Sequence, residues 1–396
     1  MTPSTVILGA ARTPFGRFGG ALSTVPAVQL GATAIAAALE RAGVAPDAVD
    51  HVIMGQVLQA DQGQVPSRQA QIGAGIPKEV SSETVNKACA SGLRAVSLLD
   101  QAIRAGDVEV GVGGGMESMS RAPYLLPQAR TGQRMGHGRM LDAMLRDGLT
   151  NAFTGRQMFE EATEVGDELG LERAELDRWA LRSHERALAA IDAGTMAQEI
   201  VPVSVPGRRG ETVVDTDEAP RRGTSADGLA ALGGLVSPGA SHTAGNSPGV
   251  NDGAAAVVVA SADRAASMGL RPLAAIIGHA QSANETHKIT TTPASAIRRA
   301  LERTGLTTSD VDLWEINEAF SSVTLHTVRE LGLDEDRVNV DGGAVALGHP
   351  IGASAARIIG HLVLELRRRG GGVGCAAICS GGGQGDALLV WVEGPA

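Results

Sequence analysis

Two thiols, one imidazole and one amide occupy the stretches of this chain richest in glycine and small residues. Cys89 lies in VNKACASGL, Asn317 in WEINEAF, His349 in GHPIGAS and Cys379 in ICSGGGQG. A cysteine just ahead of a helix meets unpaired amides and the positive end of the helix dipole. Such settings lower a thiol pKa to about 3.5–7.5, so Cys89 is expected to be a thiolate nucleophile ready to accept an acyl group. His349 is the natural base for that thiol. Cys379 is followed by glycines whose bare N–H groups can hold a developing negative oxygen, and it is read as a second, mobile proton acceptor. Asn317 ends an apolar strand, where a buried amide must be hydrogen-bonded; it is either a structural tie or the holder of a catalytic water. Taken singly, each residue also has a plainer reading, as a buried small cysteine, a histidine in a rigid prolyl turn or a structural amide.

These residues need elements to hold them. Short Val/Ile/Ala-rich runs alternate with helical stretches. Strands are expected at Val6–Ala10, Val52–Gln56, Thr84–Asn86, Val108–Gly113, Ala255–Ala260, Leu273–His279, Leu313–Asn317, Val373–Ile378 and Ala387–Val392. Helices are expected at Ala27–Ala42, Gly63–Ala74, Leu93–Ala105, Arg173–Asp192, Pro293–Thr304, Ser321–Leu331 and Ala353–Arg368. Buried strands separated by helices indicate an α/β fold. The segment Ala34–Asp50 matches Ala296–Asp312 without a gap, and the flanks agree. In the first half a strand ending at Asn86 leads to Cys89 and a helix. In the second, a strand near Val338–Val340 leads to His349 and a helix. The chain therefore reads as a duplicated α/β unit with Cys89 and His349 in equivalent turns. The halves are expected to span 1–265 and 266–396, the first carrying an inserted lobe over about 120–243. Within that lobe the pairs Arg208–Arg209 and Arg221–Arg222 read as solvated surface or as a landing site for a ligand phosphate.

Composition narrows the function. Aromatic residues make up 2% and the net charge is −10, which argues against base stacking and against binding a phosphate backbone. No nucleic-acid partner is expected. Three cysteines do not make a disulfide framework in a chain this long, and no metal site is expected, since the ligands are not clustered. Neither glycine run, GVGGGM nor SGGGQG, makes a dinucleotide or phosphate-loop signature. No leader or membrane-spanning stretch is legible, and the protein is expected to be cytoplasmic.

Taken together, AARTPFGRFGG, VNKACASGL, GGMESMSRAPYLL, TAGNSPGVNDGAAAV, NEAF, GGAVALGHPIGAS and CSGGGQGDAL resemble the thiolase family over essentially the whole chain, most closely its acetyl-transferring members. The resemblance implies two βαβαβαββ halves in a five-layered α-β-α-β-α arrangement, with the inserted lobe binding coenzyme A. It implies a reversible Claisen condensation of two acetyl-CoA to acetoacetyl-CoA and CoA through an acyl-cysteine, with no cofactor beyond the thioester substrates. By the same resemblance Cys89 accepts the acyl group, and His349 activates it and holds the thioester oxygen with a water on Asn317. Cys379 moves the α-proton, and the N–H groups of Cys89 and Gly381 form an oxyanion hole. Arg221 meets the nucleotide end of coenzyme A, while Met158, Ser247, Ala319 and Phe320 line the substrate site. A homotetramer is implied, with the segment after Ser120 as an assembly loop. The chain departs from the family pattern at Gln157, Pro248, TTTPA and His287, which bears on acyl-chain preference. The alternative is a degradative 3-ketoacyl-CoA thiolase of broader chain length. A β-ketoacyl synthase-like enzyme is opposed by the second cysteine, and a silent coenzyme-A-binding scaffold by the intact Cys89, His349 and Cys379.

Overall fold

The computed structural model describes residues 4–207 and 210–394. In chain order the main strands are β1 (Thr5–Arg12), β2 (His51–Gly55), β3 (Ser81–Val85), β4 (Val110–Ser118), β5 (Asn251–Ser261), β6 (Ala274–Ala283), β7 (Leu313–Ile316), β8 (Gly372–Ser380) and β9 (Gln384–Val392). The main helices are α1 (Ala27–Ala42), α2 (Pro66–Gly73), α3 (Ser91–Ala105), α4 (Met158–Glu168), α5 (Arg173–Asp192), α6 (Thr292–Thr304), α7 (Ser321–Leu331) and α8 (Ser354–Arg368). Of these, α4 has no counterpart among the expected elements.

The first half forms the strand order β3-β2-β4-β5-β1 and the second β7-β8-β9-β6, and the two join edge to edge where Val6 and Ile7 of β1 pair with β6. Matching β1, β2, β4 and β5 with β6, β7, β8 and β9 reproduces the duplication. The repeated helices α1 and α6 even end alike, on left-handed glycines Gly43 (φ 66) and Gly305 (φ 72), a conformation that glycine adopts without steric penalty.

The expected strand at Val338–Val340 is a correction. It is reduced to a single bridge between Val338 and Trp314. Asn339 turns to φ 47, which takes the chain out of extended geometry. Its side-chain amide bonds the N–H and C=O of Ile316, both at 2.9 Å, in place of a further rung.

Alternation along the strands separates the layers. In β5, Val257 and Val259 face the central core, which is built largely on α3 and α8, while Val258 and Ala260 face the outer core around α1. A third core, with α6, covers the outer face of the second sheet. The result is helix, sheet, central helices, sheet, helix, with strands buried on both faces. Glycine permits the tight centre: a Cβ on Gly115 of β4 would lie 1.9 Å from the carbonyl oxygen of Gly352.

Between β4 and β5 the chain leaves the layers. It forms a small hairpin (Tyr124–Leu125 with Leu141–Asp142), then α4 and α5, then a second hairpin (Val203–Gly207 with Gly210–Val214). Arg208 and Arg209 lie outside the described residues. No helix among the described residues is long and apolar enough to cross a membrane.

Candidate active site

The Cys89 turn follows β3. Its shape depends on Ala88, a non-glycine residue at φ 42, whose N–H donates to Asn86 Oδ1 at 3.0 Å. The His349 turn is its counterpart before α8. There Gly348 adopts φ 101, and a Cβ would come within 2.5 Å of the Asn251 amide. That amide is needed: its Oδ1 accepts from the N–H of His349 at 2.9 Å, and its Nδ2 donates to Gly16 at 2.9 Å. Cys379 is the penultimate residue of β8, and Gly381 begins the turn after it.

Cys89 and His349 both line one cavity of about 220 Å³, between the layered core and the inserted lobe. Its walls are apolar, with Leu145, Leu149, Met158 and Phe159 from the lobe and Ala319 and Phe320 from the turn after β7. Cys379 is fully buried just behind this wall, packed among Ile289, Ala319, Met158 and Phe320. It is near enough to Cys89 for that thiol to disfavour its ionisation, in addition to burial.

The imidazole is oriented by its far nitrogen. Nδ1 lies 2.6 Å from Ser354 Oγ, and that hydroxyl itself donates to the Pro350 carbonyl at 3.0 Å. Ser354 therefore accepts from Nδ1–H, which leaves the lone pair on Nε2. Nε2 is buried with no partner among the described residues. Burial, reinforced by the charge of Arg357, lowers the His349 pKa to about 4, so at neutral pH the ring is an uncharged base.

The expected Cys89 thiolate is corrected. Burial pushes the thiol up to about 12 and the Glu117 carboxyl adds to this, against the N–H groups of Cys89 itself and of Gly381. Desolvation outweighs the helix end, because α3 starts two residues later and the sulfur is enclosed. The N–H groups of Cys89 and Gly381 nevertheless favour negative charge on the sulfur, and these are the groups from which the resemblance builds the oxyanion hole. Burial also holds the Cys379 thiol well above its ordinary value. The resting site thus pairs neutral thiols with a neutral imidazole.

Asn317 is 0% exposed, and neither atom of its side-chain amide has a partner among the described residues. A tie to neighbouring backbone is therefore not what the amide makes; two unsatisfied polar atoms suit the water-holding alternative. Ser247 lines the cavity with its Oγ likewise buried and unpartnered, beside Gln157 and Pro248. Gln157 is not free, since its Nε2 donates to Thr150 Oγ1 at 2.8 Å. His287 pairs with Glu285 at 3.7 Å, away from the cavity lining. Arg221 is exposed on the lobe and does not line the cavity; its backbone N–H donates to His184 Nδ1 at 3.2 Å.

Several contributors escaped sequence reasoning. Ser354 and Asn251, which hold His349, lie within GHPIGAS and TAGNSPGVNDGAAAV, but nothing in those segments tells which polar residue meets the imidazole turn. Leu145, Leu149 and Phe159 belong to irregular or unexpected elements. Glu117 was legible only as part of GGMES. Burial raises its pKa to about 7 although it accepts from the N–H groups of Val57, Leu58 and Gly352 at 3.0, 3.1 and 3.0 Å.

Comparisons with known proteins identify the family. Residues 5–263 match the thiolase N-terminal domain and residues 270–392 the thiolase C-terminal domain. An acetyl-CoA acetyltransferase of Syntrophomonas wolfei is 46% identical, covering 98% of this chain and 99% of its own length. One of Pseudomonas aeruginosa is 48% identical, with 97% and 98% covered. The crystal structure of the Bacillus anthracis acetyl-CoA acetyltransferase superposes with a TM-score of 0.96 at 40% identity, covering 98% of this chain and 99% of that one. With the duplicated layers and the cavity shared by Cys89 and His349, these matches establish that the chain belongs to the thiolase family.

Proposed function

We propose that this protein is an acyltransferase that interconverts two acetyl-CoA with acetoacetyl-CoA and free coenzyme A. The observation that carries the reading is a neutral imidazole, with Nε2 unpartnered, sharing a cavity with one cysteine while a second cysteine lies directly behind. The names of the similar enzymes favour the acetyl reaction over the broader degradative alternative.

Neutral groups can carry the whole cycle. As the Cys89 sulfur attacks the thioester carbonyl, His349 Nε2 takes its proton. The N–H groups of Cys89 and Gly381 hold the oxygen as it becomes negative. The departing coenzyme A thiolate takes the Cys379 proton, which creates a Cys379 thiolate only once the acyl-enzyme exists. That thiolate removes an α-proton from the second acetyl-CoA. The enolate oxygen is held by His349 Nε2–H and a water on Asn317. Attack of the enolate carbon on the acyl group forms acetoacetyl-CoA and expels Cys89, which recovers its proton from His349. Protons and electrons balance with these side chains alone, so no metal or redox cofactor is invoked.

The lobe would carry coenzyme A, with Ser247 toward the pantetheine and exposed Arg221 toward the nucleotide. A homotetramer is proposed as well, supported by Leu126, Met135 and Met140, which stand 58, 95 and 66% exposed on the segment after Ser120. Light scattering at micromolar protein tests it; a monomer overturns it. The compartment proposed is the cytoplasm.

The activity is tested by thiolysis of acetoacetyl-CoA, followed as loss of absorbance that requires free coenzyme A, across a series of chain lengths. Cys89→Ala is expected to abolish every partial reaction. Cys379→Ala is expected to acquire an acetyl label on Cys89 yet fail to condense. Normal condensation by the second variant refutes the role given to Cys379.

A further inference from the structure

The residues flanking the two sulfurs are tied together across the halves by contacts that the reaction itself does not use. Cys89 hangs from β3, an edge strand of the first sheet, whereas Cys379 and Gly381 belong to the β8–β9 hairpin of the second. No backbone ladder joins these two elements among the described residues. Two contacts made by Lys87 do, and a third reaches the neighbouring strand β6. Its ammonium donates to Asp386 Oδ1 at 2.6 Å and to Gln281 Oε1 at 2.7 Å, and its carbonyl accepts from the hydroxyl of Ser380. Asp386 is opposite Ile378 in the hairpin and opposite Gln281 on β6, so the ammonium grips two adjacent strands. Ser380 is the residue between Cys379 and Gly381.

The residue between Lys87 and Cys89 is Ala88, at φ 42. A side chain in that region persists only where its surroundings over-determine it. The Asn86 amide supplies one restraint, and Ser91, which accepts from Lys87 N–H at 2.8 Å and donates to the Ala88 carbonyl at 2.6 Å, supplies another. Both restraints lie within the first half. Neither sets where the turn stands relative to Gly381.

We infer that Lys87, through Asp386 and Ser380, is a positioning residue that sets the Cys89 sulfur against the N–H of Gly381 and within reach of Cys379. The ion pair is almost dry, with Lys87 and Asp386 side chains 14% and 0% exposed, so its geometry is not loosened by solvent. Arg94 of α3 and His279 of β6 also face Asp386, Glu117 acts on Cys89, and Cys89 acts on Cys379. None of them spans the gap from the nucleophile turn to the hairpin.

The inference rests on the thiolysis reading only for its kinetic half. Alkylation of Cys89 by iodoacetamide, quantified by mass spectrometry across pH, needs no turnover and is therefore read first. Ser380→Ala severs one contact without changing any charge. Asp386→Asn and Lys87→Met sever the other, and Lys87→Arg keeps it in part. If the contacts hold the N–H on the sulfur, Ser380→Ala, Asp386→Asn and Lys87→Met each slow alkylation about fivefold at every pH from about 6 to about 9, where the buried thiol is protonated at rest. Lys87→Arg lies between these and the parent. In thiolysis kcat falls about tenfold or more with KM within about twofold. Folded Ser380→Ala and Asp386→Asn proteins with parental alkylation profiles overturn the inference, even if their melting temperatures fall. A parent protein that alkylates as expected but shows no thiolysis sinks the activity reading instead, and the slowed alkylation of the variants still supports the positioning role of Lys87.

Discussion

At the scale of single residues, burial favours the neutral forms of Cys89, His349 and Cys379, and the proposed cycle develops charge only once substrate is bound. The tautomer of His349 follows from one hydroxyl, because Ser354 donates to Pro350 and can only accept from Nδ1. Ser354→Ala should therefore lower kcat by about tenfold to a hundredfold while leaving coenzyme A affinity nearly intact, measurable by steady-state thiolysis and by titration of coenzyme A binding. The pH dependence has a definite sign. A histidine whose pKa is lowered to about 4 stays a competent base far below its ordinary value. The acid limb of kcat/KM is expected near pH 4 to 5, not at 6.5. A limb near 7 would instead implicate Glu117, whose carboxyl is raised to about 7 and whose ionisation opposes that of Cys89.

At the scale of elements, the Cys89 and His349 turns are equivalent in topology and held by different means. The Cys89 turn is bent at a non-glycine residue, Ala88, whereas the His349 turn uses Gly348 because the Asn251 amide fills the space a Cβ would need. Gly348→Ala should displace Asn251 from the His349 N–H. Its activity is expected to fall more steeply than its melting temperature, which calorimetry beside thiolysis would show. Gly115 makes a purely structural counterpart. A methyl there meets the Gly352 carbonyl at 1.9 Å, backbone that cannot swing aside. Gly115→Ala is expected to destabilise by about 2–3 kcal/mol or prevent folding; soluble protein with a parental melting temperature contradicts the packing account.

For the whole molecule, a buried charge cluster ties the lobe to both halves. Arg12 of β1 bonds Glu199 at 2.5 Å and Asp217 at 2.7 Å, and Glu199 also meets His361 of α8 at 2.9 Å. Although burial alone would raise it, the charges of Arg12 and His361 hold the Glu199 carboxyl well below the usual carboxylate range. A carboxyl depressed on folding binds protons more tightly when unfolded. Its contribution is therefore complete above the unfolded value, near 4.5, and is lost as pH falls toward the folded one. Arg12→Met leaves Glu199 and Asp217 buried without their guanidinium and should cost about 3–5 kcal/mol. Its melting temperature is expected to fall at pH 7, and the gap to the parent to narrow as the solution is acidified. A gap that is constant with pH contradicts this assignment.

Periodicity and motif spacing determined the order of elements and the duplication, because each is a local or repeating property of the chain, and motif spacing singled out the four residues proposed to do chemistry. Where the fold had to satisfy a distant group, local reading failed. Asn339 replaced an expected strand with side-chain bonds to Ile316, and enclosure reversed the expected ionisation of Cys89. The cavity walls from the lobe, the Ser354 contact and the burial of Cys379 behind the cavity were decided only by tertiary structure. Burial, Coulomb interaction and the meeting of unpaired polar atoms depend on which surfaces come together, and residues far apart in sequence carry no trace of that encounter.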